Sequence, residues 1–497
     1  MPTTAPEILD VLIVGAGISG IGAARHLQKK CPDKTWRIVE ARERLGGTWD
    51  LFRYPGIRSD SDMNTLGYAF KPWTANKAIA DGSTILRYLA EAANETGVAQ
   101  NILYQHAVRS AHWSSEHAYW TVEVSFQDAP TLVQFKARFL YLCCGYYSYK
   151  QGHQPTFKGQ EEFKGQLIYP QFWPQDLSYQ DKRVVVIGSG ATAITLVPEL
   201  AKTAAHVTML QRSPTYVISL AERDALSLWL ARFLPQTVAY AVTRWKNVLL
   251  GSIFFQLSRR KPEMIKSLIT WMATKQLGAK VDVKKHFTPS YKPWDQRMCV
   301  IPNGDLFKTL RKGKASVVTE TIECFTHKGI QLTNGEELPA DIVVCATGLT
   351  LNFLGDMVFT VDQKPVDFSK AIIYQGMMLS DLPNAIVAIG YTNLSWTLKA
   401  DLTSQYACRL IKYMDRHGYT TAMAKGDPQV KPQNFMPFNS GYVQRASEYL
   451  PKQGDRKPWQ VAPYYWLDIA VLRWGRLDDG VMTFSKSTAF HKKEFSA

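Results

Sequence analysis

The sequence predicts an α/β fold in which one strand–turn–helix unit occurs twice, and three observations carry that prediction. An apolar run, Val11-Leu12-Ile13-Val14, enters Gly15-Ala16-Gly17-Ile18-Ser19-Gly20. A second run, Val184-Val185-Val186-Ile187, enters Gly188-Ser189-Gly190-Ala191-Thr192-Ala193, with Val197 and Leu200 following at helical spacing. Third, each unit continues into a further strand that ends in a charged residue, Glu40 after the first turn and Arg212 after the second. Gly-x-Gly-x-x-Gly/Ala between a strand and a helix is a dinucleotide fingerprint: the glycines admit a pyrophosphate, and the unpaired N–H groups of the helix start face it. The fold class is therefore α/β with two Rossmann-type domains.

In chain order, Trp36-Arg37-Ile38-Val39-Glu40 places a carboxylate about 20 residues past Gly20, where it accepts hydrogen bonds from ribose hydroxyls and repels a 2′-phosphate. The first site is expected to hold FAD, with NAD as the lesser alternative. Val207 to Ser213 puts the Arg212 guanidinium and the Ser213 hydroxyl at the comparable place, which suits the 2′-phosphate of NADPH. Residues 1–145 and 336–497 are expected to form the FAD domain and 146–181 a linker. The NADP domain is expected over 182–335, carrying a helical insertion at 222–285 rich in Leu, Trp and Phe with scattered Lys and Arg. A helical cap with one buried face is one reading of that insertion. The other is a basic surface for membrane contact or substrate entry, supported by Arg244, Lys246, Arg259, Arg260 and Lys261. Its most apolar part, residues 225–243, contains Arg232 and Pro235 and is not read as a span. Pro198 removes a hydrogen bond from the second fingerprint helix.

Composition is that of an ordinary globular chain, 46% hydrophobic and 20% charged over 497 residues. Seven scattered cysteines do not form a disulfide framework, and residues 1–10 carry no leader pattern, so a cytoplasmic location is expected. The net charge of +15 is not arranged as a nucleic-acid module; it suits anionic NADPH or an anionic membrane surface. No cluster has metal-ligand spacing, and the sequence leaves the oligomeric state open.

After the first turn comes Gly46-Gly47-Thr48-Trp49-Asp50-Leu51-Phe52-Arg53-Tyr54-Pro55-Gly56-Ile57-Arg58-Ser59-Asp60. It holds no pair of redox cysteines; Cys143 and Cys144 are adjacent and read as buried strand residues, so a flavin here has no obvious dithiol to reduce, and dioxygen is an alternative electron acceptor. Gly-Gly-x-Trp followed by Tyr-Pro-Gly-x-x-x-Asp resembles the motif of the class B Baeyer–Villiger flavoprotein monooxygenases. Phe163-Lys164-Gly165 through Tyr169 to Trp173-Pro174 is similar to that family's second signature, with Tyr169 where histidine is usual, and Ala346-Thr347-Gly348 resembles its interdomain strand end.

The resemblance, which runs essentially end to end, implies a C4a-peroxyflavin that inserts one oxygen of O2 into a ketone and can oxidise a sulfide or thioamide. It implies Arg297, in Pro293-Trp294-Asp295-Gln296-Arg297, as the fixed cation beside that anion and Asp60 as its partner. Thr48, Trp49, Asp50 and Leu51 are implied along the flavin, Arg58 and Ser59 toward NADP, and backbone at Val108 on the adenine of FAD. Gln296 stands where some relatives have a lysine, which leaves Arg212 and Ser213 to select NADPH. Trp396, before a helix with Leu398, Leu402 and Tyr406 on one face, is read as a substrate or nicotinamide contact, with a core aromatic as the alternative. Two rival readings stand: a flavin monooxygenase devoted to N- or S-oxygenation, for which Tyr169 argues, and a basic membrane- or nucleic-acid-binding module that retains nucleotide folds.

Overall fold

The computed structural model describes residues 8–127, 132–436, 438–461 and 463–487; most of the N-terminal stretch read above, residues 1–7, lies outside them. Two sheets organise the chain. Among the described residues the larger has nine strands, and Ile8–Val14 lies inside it, parallel to Trp36–Glu40 on one side and Leu132–Leu142 on the other. His106–Ser114, Tyr119–Phe126 and Leu132–Leu142 run antiparallel as a meander. Ala385–Val387, far along the chain, returns to pair in parallel with Leu140–Leu142. The smaller sheet has five parallel strands in the order 315–319, 206–211, 183–187, 342–345, 166–168. Both central strands are buried along the four residues that enter the turn, as strands covered on two faces must be.

Two boundaries differ from the sequence reading. Ile342–Cys345, which the sequence reading puts on the FAD side, lies between Arg183–Ile187 and Gln166–Ile168 in the smaller sheet. Gln166–Ile168, inside the supposed linker, is that sheet's edge. A four-residue apolar run reads alike in either sheet; only the pairing partner decides, and it is not local.

The helices follow their capping signals. Ile18–Lys30 and Ala191–Leu200 start at Gly17 and Gly190, and neither start has a side-chain cap. Ala191–Leu200 continues through buried Pro198. The insertion forms helices Ala225–Phe233, Gln236–Arg260 and Pro262–Leu277, the first capped by the Asp224 carboxylate on the Ser227 N–H. No helix is long and apolar enough to cross a membrane among the described residues. Trp396–His417 buries Leu398, Leu402 and Tyr406 against the larger sheet.

Candidate active site between two dinucleotide turns

Each turn is shaped by a strand that crosses it. A Cβ on Gly15 would sit 2.7 Å from the Cys143 carbonyl oxygen, and one on Gly188 would sit 2.4 Å from that of Ala346; both have positive φ. Glycine is required at both places. Gly20 lies against the Gly15 carbonyl, 1.9 Å from where a Cβ would be, and so serves packing, not cofactor contact. A Cβ on Gly190 meets nothing within 4 Å, whereas one on Gly17 meets the Gly47 backbone at 3.6 Å; both glycines line the cavity space between the turns. Uncapped helix starts opening on such space fit a pyrophosphate at each turn.

The segment 46–60 straddles the two turns. Gly47, at φ +56°, packs on Gly17, 3.2 Å from a Cβ to its Cα. Gly56, at φ +74°, packs on Glu199 and the Thr195 carbonyl of the second fingerprint helix. Burial pushes the Tyr54 phenol up to about 12, against the opposing hydrogen bond with Thr192 of the second turn. The two glycines and the tyrosine thus fasten one short stretch to both units. Its end delivers Asp60 to Arg297, which precedes the strand Cys299–Pro302.

Arg297 Nη2 donates to Asp60 Oδ1 at 3.1 Å and lies 2.8 Å from Oδ2. The side chain is 38% accessible because it faces a cavity, although protein surrounds it. The Asp60 carboxylate raises its affinity for the proton and outweighs the cost of burial, so this guanidinium stays charged. Tyr146 and Tyr147 stand beside it, their rings edge-on at 4.8 Å, and burial pushes both phenols up.

The cavity, about 1030 Å³, runs from one turn to the other. It brings together Gly15, Gly17, Ser19, Glu40, Thr48, Trp49, Arg58, Ser59, Asp60 and Val108 with Gly188, Ser189, Gly190, Ala191, Thr192, Arg212, Ser213, Arg297 and Trp396. Glu40 is 5% exposed, and its two oxygens accept the N–H groups of Ala16 at 2.7 Å and Arg42 at 2.9 Å. Burial raises its pKa despite those bonds. Ser189 and Thr215 hydroxyls are 2.9 Å apart at the second turn. The Trp396 indole N–H donates to Ser19 Oγ at 2.7 Å, joining the helix Trp396–His417 to the first turn.

Four expected contacts fall outside the cavity. Leu51 and Ala193 are in the core shared with Val184 and Val186, and Gly20 is spent on packing. Asp50 is buried, binding Arg42 at 2.6 Å and Arg53 at 2.8 Å. In the four-residue helix Thr48–Leu51, the first two side chains reach the cavity and the last two turn inward. Arg58 lines the cavity but pairs with Asp305 at 2.5 Å, leaving a buried Nε without a hydrogen-bond partner. Cys143 and Cys144 lie just past the strand Leu132–Leu142 and line the cavity, the first buried and the second partly so, and burial pushes the Cys144 thiol up to about 12. Tyr169 is absent from the cavity wall; it packs with Phe163 and Leu167 on the smaller sheet.

Sequence reasoning missed Tyr146, Tyr147, Tyr442 and Arg445, all on the cavity wall. Tyr442 and Arg445 lie nearly 150 residues beyond Arg297, in a helix of six residues with no motif. Arg445 adds a cation to a wall that already carries Arg58, Lys150, Arg212 and Arg297, and burial together with Arg445 depresses the His153 pKa.

Comparison with known proteins adds a finding of its own. The model of the flavin-binding monooxygenase-like family matches residues 68–435, and that of an NAD(P)-binding Rossmann-like domain matches 13–76. The FAD-containing monooxygenase EthA of Mycobacterium tuberculosis (strain ATCC 25618 / H37Rv) is 51% identical, over 97% of this chain and 99% of its own. A probable FAD-binding monooxygenase AlmA of Acinetobacter baylyi (strain ATCC 33305 / BD413 / ADP1) is 49% identical over 97% of each chain. Among solved structures, an oxidised steroid monooxygenase bound to NADP superposes with a TM-score of 0.75 at 20% identity, over 97% of this chain and 100% of that one. An open cyclohexanone monooxygenase superposes with 0.71 at 18%, over 85% and 90%. At those identities the likeness is one of fold.

Proposed function

The chain belongs to the flavin-binding monooxygenase-like family, and from that premise we propose that it is an NADPH- and O2-dependent Baeyer–Villiger monooxygenase. Its substrate is a ketone, which it converts to an ester or lactone, and it also oxidises sulfides or thioamides. Bound FAD, reduced by NADPH, supplies the oxygen-activating chemistry: one atom of O2 enters the substrate, and the other leaves as water with the two electrons and two protons.

The chain's residues supply position and field. The first turn and Glu40 hold FAD through its pyrophosphate and ribose, and the second turn with Arg212 and Ser213 holds NADPH through its pyrophosphate and 2′-phosphate. The carrying observation is the Arg297–Asp60 pair, 2.8 Å apart on the cavity wall between the two turns. A guanidinium fixed there stabilises negative charge developing at the reacting oxygen, and Asp60 keeps it from swinging away. Tyr146 and Tyr147, held protonated by burial, have hydroxyls that can donate without titrating near neutral pH. Trp396, tied to Ser19, closes one wall of the cavity against water.

The test is product analysis with a simple ketone for the wild type and Arg297→Met. Ester from the wild type and none from the variant supports the reading; equal ester from both overturns it. Tyr169 favours the rival, pure S- or N-oxygenation: a sulfoxide from a sulfide with no ester from any ketone would establish that instead.

A further inference from the structure

The long insertion helix Gln236–Arg260 is inside out. Tyr240, Thr243, Arg244, Ser252 and Ser258 are among its buried residues, whereas Val238, Val242, Trp245, Leu249 and Ile253 are each 44–53% exposed. At 100° per residue those five fall within about 40° of Leu249, so they form one outward stripe. The polar side fixes this orientation. The Arg244 guanidinium donates to the carbonyls of Asn64 and Gly67, each at 2.8 Å, and Asn247 donates to Asp62 at 2.9 Å. Turning the helix over would break those bonds and leave a buried guanidinium unpaired.

The stripe continues on both sides. Ala225–Phe233 packs on the long helix and has no buried residue; its Leu226, Trp229 and Phe233, at helical spacing, are exposed. The Trp245 ring lies 5.8 Å from Tyr465, which leads into exposed Trp466 and Leu467. A contiguous apolar face of this extent is not left to water without a partner.

We propose that this face docks the protein on an anionic lipid bilayer, lying in the interface without spanning it. Charge selects the occupant. Residues 222–285 carry twelve Lys and Arg against four Asp and Glu, more than half of the chain's net +15. Exposed Arg232, Arg260 and Lys261 flank the stripe at the helix ends. A second copy docked by the same face would bring these like charges together, whereas an anionic surface neutralises them. Exposed Trp229, Trp245 and Trp466 are the residue type that settles at headgroup depth. The opposite side of the same helix touches segment 62–68 and, through Gly251, Leu394; Leu66 and Leu394 line the cavity. Docking therefore sets the cavity about one helix diameter, ~10 Å, from the lipid.

The test is flotation of the full-length flavoprotein with vesicles of phosphatidylglycerol and phosphatidylcholine, equimolar, against phosphatidylcholine alone. The expected result is flotation with the anionic vesicles, at least about tenfold weaker for Leu249→Ser/Ile253→Ser and, separately, for Arg232→Glu/Arg260→Glu. Both double variants should keep their flavin absorbance and NADPH oxidation, since none of these side chains reaches the cavity. No flotation of the wild type, or equal flotation of all three proteins, overturns the proposal. So does a wild-type dimer, seen by sedimentation velocity without lipid, that Leu249→Ser/Ile253→Ser converts to monomer.

Discussion

The two dinucleotide turns are nearly the same object in opposite electrostatic settings. In each, the first glycine is pressed against the carbonyl just past the neighbouring parallel strand, Cys143 or Ala346, and the helix start is left uncapped on the cavity wall. They part at the third small position and on the next strand. Gly20 has no room for a methyl group, whereas Ala193 carries one in full burial. Glu40 is a buried carboxylate held by two backbone N–H groups; Arg212 is an exposed guanidinium at the cavity edge. Backbone geometry makes a site for a pyrophosphate. On the assignment proposed above, the charge on the second strand selects which nucleotide carries it.

The largest expected effect comes from the third position. Gly20→Ala should yield a colourless protein, since the methyl would meet a carbonyl oxygen at 1.9 Å, while Ala193→Gly should keep NADPH turnover and cost about 1 kcal/mol of stability. Flavin absorbance after purification checks the first and urea denaturation the second.

Next is the pair between the turns. Arg297→Ala should slow ester formation by about 10²–10³-fold while NADPH still reduces the flavin, measured by stopped-flow reduction beside product yield. At the second turn alone, Arg212→Ala should raise KM for NADPH about 10- to 100-fold, from the 1.5–3 kcal/mol typical of a hydrogen bond to a charged group. KM for NADH should move less than about twofold, and equal shifts would erase the electrostatic contrast between the sites.

Smaller still, Tyr169→His should change the uncoupled fraction of NADPH oxidation by less than about threefold, because the side chain packs on the smaller sheet away from the cavity. Hydrogen peroxide release reads it. The smallest effect lies behind the second turn, where Arg183 and a backbone N–H hold the Asp341 carboxyl down to about 2. A depressed acid contributes stability that is complete above its ordinary value near 4 and lost as pH falls toward 2. This pair is partly exposed, so Asp341→Asn should cost no more than about 1 kcal/mol at pH 7, with the difference fading between pH 4 and 2 in urea titrations.

Much of this was legible in local sequence, for stated reasons. Glycine spacing, a β-branched run before it and an acid or base after the next strand are short-range signals, and they located both turns. The inward turn of Asp50 and Leu51 was not legible, because four consecutive residues of one motif divide between cavity and core only after a short helix forms. Nor was the inverted insertion helix. Its composition showed apolar and basic residues, but which side is buried depends on the carbonyls of segment 64–67 that capture Arg244.

By itself, then, the chain's sequence determined two strand–turn–helix units, their charge preference and the family motif between them, since each is written in residues within a few turns of one another. Tertiary structure alone decided that Ile342–Cys345 joins the smaller sheet, that Trp396 reaches Ser19, and that Tyr442 and Arg445 meet Arg297 across one cavity. Those meetings join positions 145–380 residues apart, and only the closing of both sheets around a shared space brings such side chains within hydrogen-bonding or coulombic range.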